Sequence, residues 1–187
     1  RHISAINLSR DRLTASFNGN RKGIAFGNIG FSSGVHYWEF KIEQAEAGSI
    51  FIGVSERAFP PNQSQGYNRW TGYGMVNRRI SLRNGGSSSD NLAIYGESVN
   101  TGDTIGVMLD MNRGKLSFYV DGLKFGEHIL VDMGDAFDNL GVDSSRVRPK
   151  TYYPIIGMSK ALDRVAITPR WLSYPGPQIQ ETISLVH

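Results

Sequence analysis

The stretch Leu109 to Gly122, "LDMNRGKLSFYVDG", decides how the rest of the chain is read. Asp110, Asn112 and Asp121 stand at positions 1, 3 and 12 of a window with the spacing of an EF-hand calcium loop. That loop also needs a ligand at position 5, glycine at position 6 and glutamate at position 12. This chain has Gly114, Lys115 and Asp121 there. A lysine where the backbone must turn sharply around a dication argues against metal. Period-two alternation explains the residues better. Ile105, Val107, Leu109 and Met111 share one face, as do Leu116, Phe118 and Val120, with Asn112-Arg113-Gly114 between them. Asn and Gly accept the positive backbone angles of a tight turn, and Asp121-Gly122 reads as a second such turn. The stretch is a β-hairpin.

Outward from it, glycine separates short apolar segments along the whole chain, the pattern of many strands joined by tight turns. Lys22 to Phe31 alternates loosely. Val35 to Ile42 sets His36, Trp38, Phe40 and Ile42 on one face and Tyr37, Glu39, Lys41 and Glu43 on the other. Ile50, Ile52 and Val54 form a further inward face. Met75 to Leu82 and Asn91 to Tyr95 are weaker candidates, and Tyr152 to Met158 and Arg164 to Thr168 close the series. The one helical turn expected lies near Asp135 to Leu140. Strands apolar on one face, with no helices to cover them, must cover each other, so the expected fold is all-β, two antiparallel sheets face to face. At 187 residues this is one domain, over residues 1–171, followed by a tail or exit linker at 172–187 from which Ile179, Ile183 and Leu185 are able to dock.

Composition narrows the function classes. The chain has no cysteine, which removes disulfides and thiolate zinc sites and leans towards a reducing, cytoplasmic setting. No apolar run is long enough to span a bilayer. The net charge of +3 is small for this length, and the groups Arg78, Arg79, Arg83 and Arg146, Arg148, Lys150 fall short of the dense basic stripe expected for nucleic acid. Starting on Arg1, without an initiator methionine or a signal-like segment, the chain reads as a module of a longer protein, monomeric in itself.

Catalysis finds little support. Glu39 and Glu43 share a strand face, the spacing of a glycosidase carboxylate pair, but Lys41 stands between them and favours ionisation of both. An outward, half-exposed face of alternating charge accounts for them. The four histidines show no ligand spacing, and no G-x-S-x-G stretch is present. No catalytic residue, metal or cofactor is expected. The loop Glu56 to Gly72, "ERAFPPNQSQGYNRWTG", is different, because it is polar and aperiodic yet carries Phe59, Tyr67 and Trp70. Phe59 and Tyr73 suit anchoring to the sandwich. Tyr67 and Trp70, beside Arg57 and Arg69, have the composition of an interaction hot spot. In a second reading, Tyr67 and Trp70 stack on the sugar rings of a carbohydrate.

Four segments together resemble the SPRY domain, the B30.2-type protein-interaction module. They are "FSSGVHYWEFKI" (31–42), "FIGVS" (51–55), "GDTIGVMLDMNRGKLSFYVDG" (102–122) and "YYPIIGMS" (152–159). Their order and spacing fit over 17–171. Departures are Tyr73-Gly74 where tryptophan often precedes the glycine, Asp121 where asparagine is frequent, and an insertion over 127–135. The resemblance implies a bent, concanavalin-like β-sandwich with ligand loops at one end. It also implies a partner-contacting tyrosine after glycine in the loop following "FIGVS", here Gly66-Tyr67. A second contact is implied at the turn after the tyrosine–proline strand, here Lys160-Ala161-Leu162-Asp163, which lacks the family's frequent tryptophan–glycine pair. The expected partner site is therefore Tyr67, Trp70, Arg57, Arg69, Lys160, Leu162 and Asp163, receiving a protein or peptide segment and neither nucleic acid nor membrane. Hosts of such modules include ubiquitin ligases, and the likeness here is to the SPRY module of a very large HECT-type ligase.

Overall fold

The computed structural model describes residues 5–19, 22–46, 48–56, 73–76, 83–84, 100–124, 127–137, 150–168 and 183–186. All regular structure among them is strand. One sheet joins, in spatial order, β1 (Ile6–Leu8), β2 (Thr14–Phe17), β12 (Arg164–Thr168), β4 (Val35–Gln44), β8 (Thr104–Asp110), β9 (Lys115–Lys124) and β10 (Glu127–Phe137). The other joins β13 (Leu185–Val186), β3 (Gly23–Gly27), β11 (Tyr152–Met158), β5 (Ile50–Glu56), β6 (Tyr73–Val76) and β7 (Arg83–Asn84). Every pairing is antiparallel.

Alternation builds the core. On β4, Trp38 pairs with Val107 of β8, which pairs with Phe118 of β9; Phe40 pairs with Ile105, which pairs with Val120. These rows point at Ile50, Ile52, Val54, Tyr152, Ile156 and Met158 of the facing sheet, all buried in one cluster. Fully burying one such side chain is worth about 1.5–3 kcal/mol, so this interface dominates the stability. Ile183 and Leu185 belong to the same cluster, and β13 pairs with β3, so these late residues dock on the sandwich. Pro154 sits inside β11 without a donor to offer. It lies opposite the segment where β3 has already left the ladder, between the Ile155↔Phe26 pair and the Phe31↔Tyr152 bridge.

Three local expectations need correcting. Asp121-Gly122 is not a turn: β9 continues to Lys124, with Asp121 opposite Leu130 and Gly122 opposite Ile129. The inserted stretch from Glu127 is strand, and β10 runs through Phe137 where a helical turn was expected. Glu39 is not half-exposed. It is 3% exposed and accepts a 2.9 Å hydrogen bond from the Tyr37 hydroxyl. The candidate strand 91–95 lies outside the described residues, as does most of 75–82.

The Tyr37–Glu39 pair shows why Gly106 is needed. Tyr37 lies across Gly106, which pairs with Glu39 on one side and Tyr119 on the other. The Tyr37 and Tyr119 rings meet edge to face at 5.8 Å. Burial, then the Glu39 carboxylate beside it, pushes the Tyr37 phenol far above its ordinary pKa. A Cβ on residue 106 would stand 2.9 Å from two carbons of the Tyr37 ring and closer still to its hydroxyl. The ring is buried, bonded to Glu39 and set against Tyr119, so its displacement is opposed. Gly106→Ala is expected to destabilise the domain by about 1–3 kcal/mol. Chemical denaturation measures it, and an unchanged midpoint would show that Tyr37 moves freely.

Candidate functional site

The strands end in two sets of loops. At one end β4 hands over to β5, β11 to β12, and the chain enters β8; at the other lie the β8–β9 turn and the roots of the 57–72 loop. The first is called here the clamp end and the second the hairpin end.

The clamp end is organised by Asp163, which is 1% exposed. Its Oδ2 accepts from the backbone N–H of Lys160 (2.9 Å) and Ser159 (3.2 Å). Its Oδ1 accepts from the Glu46 N–H (3.2 Å) and lies 2.6 Å from Ser49 Oγ. The Ser49 hydroxyl is also 2.7 Å from the Glu46 carbonyl, but it has one proton, and the carboxylate is the stronger acceptor. Ser159 Oγ donates to the Ser49 carbonyl (3.1 Å), and the Asp163 carbonyl accepts from Phe17 N–H (3.0 Å). The carboxylate thus ties the β4–β5 loop to the β11–β12 turn, and the backbone carbonyl of the same residue adds the end of β2.

The turn so held presents the other residues. Leu162 is 70% exposed and adopts φ 77°, a left-handed backbone that non-glycine residues avoid at a cost of about 1–3 kcal/mol. Lys160 Nζ is 4.0 Å from Glu46 Oε2, with both side chains largely in solvent. Beside them, Arg164 Nε donates to Glu43 Oε2 at 2.6 Å. Thr101 Oγ1 accepts from Ala45 N–H (3.0 Å), and Lys41 Nζ donates to the Gly102 carbonyl. The two glutamates of the possible glycosidase pair are thus occupied differently, Glu39 buried on Tyr37 and Glu43 paired with Arg164. They do not converge on an open cleft.

At the hairpin end, Gly114 takes φ 65° to close the β8–β9 turn. Asp110 Oδ1 accepts from Arg113 N–H (3.0 Å), and Asn112 Oδ1 accepts from Gly34 N–H (3.0 Å). Of the three residues at calcium-ligand spacing, Asp110 closes the turn and Asn112 ties it to Gly34, while Asp121 lies within β9. His36 stacks on Phe31 with ring centroids 3.9 Å apart, and its Nε2 donates to the Ser33 carbonyl at 2.6 Å.

The seven residues expected at the site divide accordingly. Lys160, Leu162 and Asp163 come together at the clamp end, where Asp163 faces inward and shapes the turn that displays Leu162. Arg57, Tyr67, Arg69 and Trp70 lie outside the described residues. Their loop leaves the sheet at Glu56 and returns at Tyr73, both at the hairpin end, so its roots and the Lys160 to Asp163 turn lie at opposite ends of the sandwich, not at the one end expected. From the level of Glu56 to that of Ile50, the pairing advances by six residues of β11, about 20 Å. Tyr67 precedes Tyr73 by six residues, so its greatest reach is also about 20 Å. The clamp partners Glu46, Ser49 and Ser159 were not legible beforehand, since Ser49 and Asp163 are 114 positions apart.

The geometry can be set beside known proteins. The family model for the SPRY domain matches residues 35–165, from the first residue of β4 into β12. The chain belongs to the SPRY domain family. E3 ubiquitin-protein ligase TRIM9 of Drosophila melanogaster is 32% identical over 135 residues, which is 72% of this chain and 18% of TRIM9. The SPRY domain thus spans about a fifth of that relative's length. The crystal structure of the SPRY domain of human HERC1 superposes with a TM-score of 0.59 at 22% identity, over 88% of this chain and 92% of that one. The TRIM65 PSpry domain gives 0.60 at 16% identity, over 89% and 84%. These two structures share the fold, the bent β-sandwich expected from the sequence. Residues 5–27 and 183–186 fall outside the matched stretch, yet β2, β3 and β13 are built into the two sheets.

Proposed function

We propose that this SPRY domain is a non-catalytic recognition module that holds a segment of a protein partner, within a larger cytoplasmic protein of the ubiquitin conjugation pathway such as a HECT-type ligase. The observation that carries the reading is Leu162. An exposed apolar side chain on an unfavourable backbone, gripped from beneath by a buried carboxylate, adds nothing to the core. Its cost is explained if the side chain is kept ready for a ligand. The similarity to a ubiquitin ligase supports the host class.

In this reading Leu162 is the apolar anchor and Lys160 flanks it as an exposed charge. Asp163 positions both without touching the partner. Tyr67 and Trp70, with Arg57 and Arg69, supply further contacts from the 57–72 loop. An extended partner of about six residues covers 20 Å, enough to join the clamp end to the roots of that loop. Partner binding therefore needs no folding back of the loop.

Quantitative affinity capture from cell lysate, wild type against Leu162→Gly and Tyr67→Ala, tests the proposal. Leu162→Gly is expected to weaken capture about tenfold while leaving the melting temperature unchanged or higher, because glycine relieves the backbone. Tyr67→Ala is expected to weaken the captured partner's affinity about thirtyfold, roughly 2 kcal/mol, with little change in melting temperature. If Leu162→Gly captures the same partners at equal affinity, the clamp end is not the site. A loss of stability in Tyr67→Ala would instead make Tyr67 a loop anchor.

A further inference from the structure

The inserted stretch 127–135 has no part in the reading above, and the fold gives it a definite place: it makes most of β10, the outermost strand of the seven-stranded sheet. Glu127 to Asp132 pair in unbroken register with Lys124 to Tyr119 of β9, and the register shifts begin only beyond Asp132. Among the described residues no strand pairs with the far side of β10. About 20 Å of regular edge is left there with alternate N–H and C=O groups directed outward. Edge strands of this length are normally blunted by bulges or prolines. Here the bulges come after the regular part, and 127–137 contains no proline.

We propose that this edge pairs with the same edge of a second copy of the chain, joining two seven-stranded sheets across a two-fold axis at Leu130. A two-fold antiparallel pairing requires a strand complementary to its own reversal. Centred on Leu130, the sequence "HILVD" sets His128 opposite Asp132, Ile129 opposite Val131, and Leu130 opposite Leu130. Each pair is favourable: an imidazole with a carboxylate, then two apolar pairs. Centring on Val131 instead would set Leu130 against Asp132, and centring on Ile129 would set His128 against Leu130 and Glu127 against Val131, each placing a polar or charged group against an apolar one, so Leu130 is the favoured centre. This departs from the monomeric module that the sequence suggests, and it is independent of the recognition site.

A charge-swap cycle on the 187-residue chain tests the proposal. Sedimentation velocity at pH 6, where an ordinary imidazole is mostly charged, reads the association. The wild type is expected to show a concentration-dependent dimer. Asp132→His sets two imidazoles opposite each other and His128→Asp sets two carboxylates opposite each other, and each is expected to weaken dimerisation at least about tenfold. The double variant His128→Asp/Asp132→His restores the pair with its members exchanged and is expected to recover the dimer. In the β9–β10 register these two positions lie opposite Leu123 and Tyr119 rather than opposite a charged residue. Leu130→Lys, with like charges on the axis, gives the same loss by a different route, and melting curves establish that each variant folds. A wild type that stays monomeric at several hundred micromolar would overturn the proposal. So would folded single variants that associate as the wild type does, or a folded double variant that fails to recover.

Discussion

Replacing Trp38 by alanine lowers the stability of the domain by about 3–5 kcal/mol, a large part of what a single domain possesses. Trp38 is 3% exposed, in line with Val107 and Phe118 across three strands and stacked with Phe31 at 5.8 Å. Removal of the indole leaves a cavity that two packed sheets cannot close without shifting their registers. Thermal denaturation should show a fall in melting temperature on the order of 10 °C. The companion variant Trp38→Phe separates shape from chemistry. Among the described residues the indole N–H has no hydrogen-bond partner, and a buried unpaired donor is unfavourable by about 1–3 kcal/mol. Trp38→Phe loses ring area but removes that penalty, so its net effect should be small. Equal losses in both variants would mean that the ring fills no essential space.

Asp163→Ala is the second large effect, expected at about 3 kcal/mol. The substitution leaves the N–H groups of Glu46, Ser159 and Lys160 and the Ser49 hydroxyl without their shared acceptor. Asp163→Asn keeps the shape but turns an NH2 group towards two of those donors, so it should recover less than half of the loss. If the carboxylate positions Leu162, both variants should also weaken partner binding, with the binding loss following the loss of turn structure. A stable Asp163→Ala variant with normal partner affinity would remove Asp163 from the positioning role.

The hairpin at 104–124 was legible because its two signals agree: period-two alternation on both arms, and Asn112-Arg113-Gly114 between them, with Gly114 supplying the positive φ. Asp121-Gly122 misled because turn chemistry is a local preference, and here the ladder to Leu130 and Ile129 overrides it. The same extension turned the inserted stretch into an edge strand. Glu39 misled for a related reason. Alternation assigns its face correctly, but not whether that face meets water, and Tyr37, Gly106 and Tyr119 crowd around it. At the candidate site, the turn was located through the resemblance to the family. The inward direction of Asp163 was not readable, since two of its four partners, Glu46 and Ser49, come from a loop more than a hundred residues earlier. The exposure of Leu162 follows from the same distant contacts.

The central claim, that a protein partner is held at the clamp end, is tested most directly by mapping a captured partner segment onto the domain with backbone amide chemical shifts. The account predicts the largest shifts at Lys160 to Asp163, with Glu46, Gly48 and Thr101 to Asp103 beside them, and their loss in Leu162→Gly at equal partner concentration. Shifts centred instead on Gly34, Asn112 and Arg113 at the hairpin end, with Lys160 to Asp163 unmoved, would contradict it.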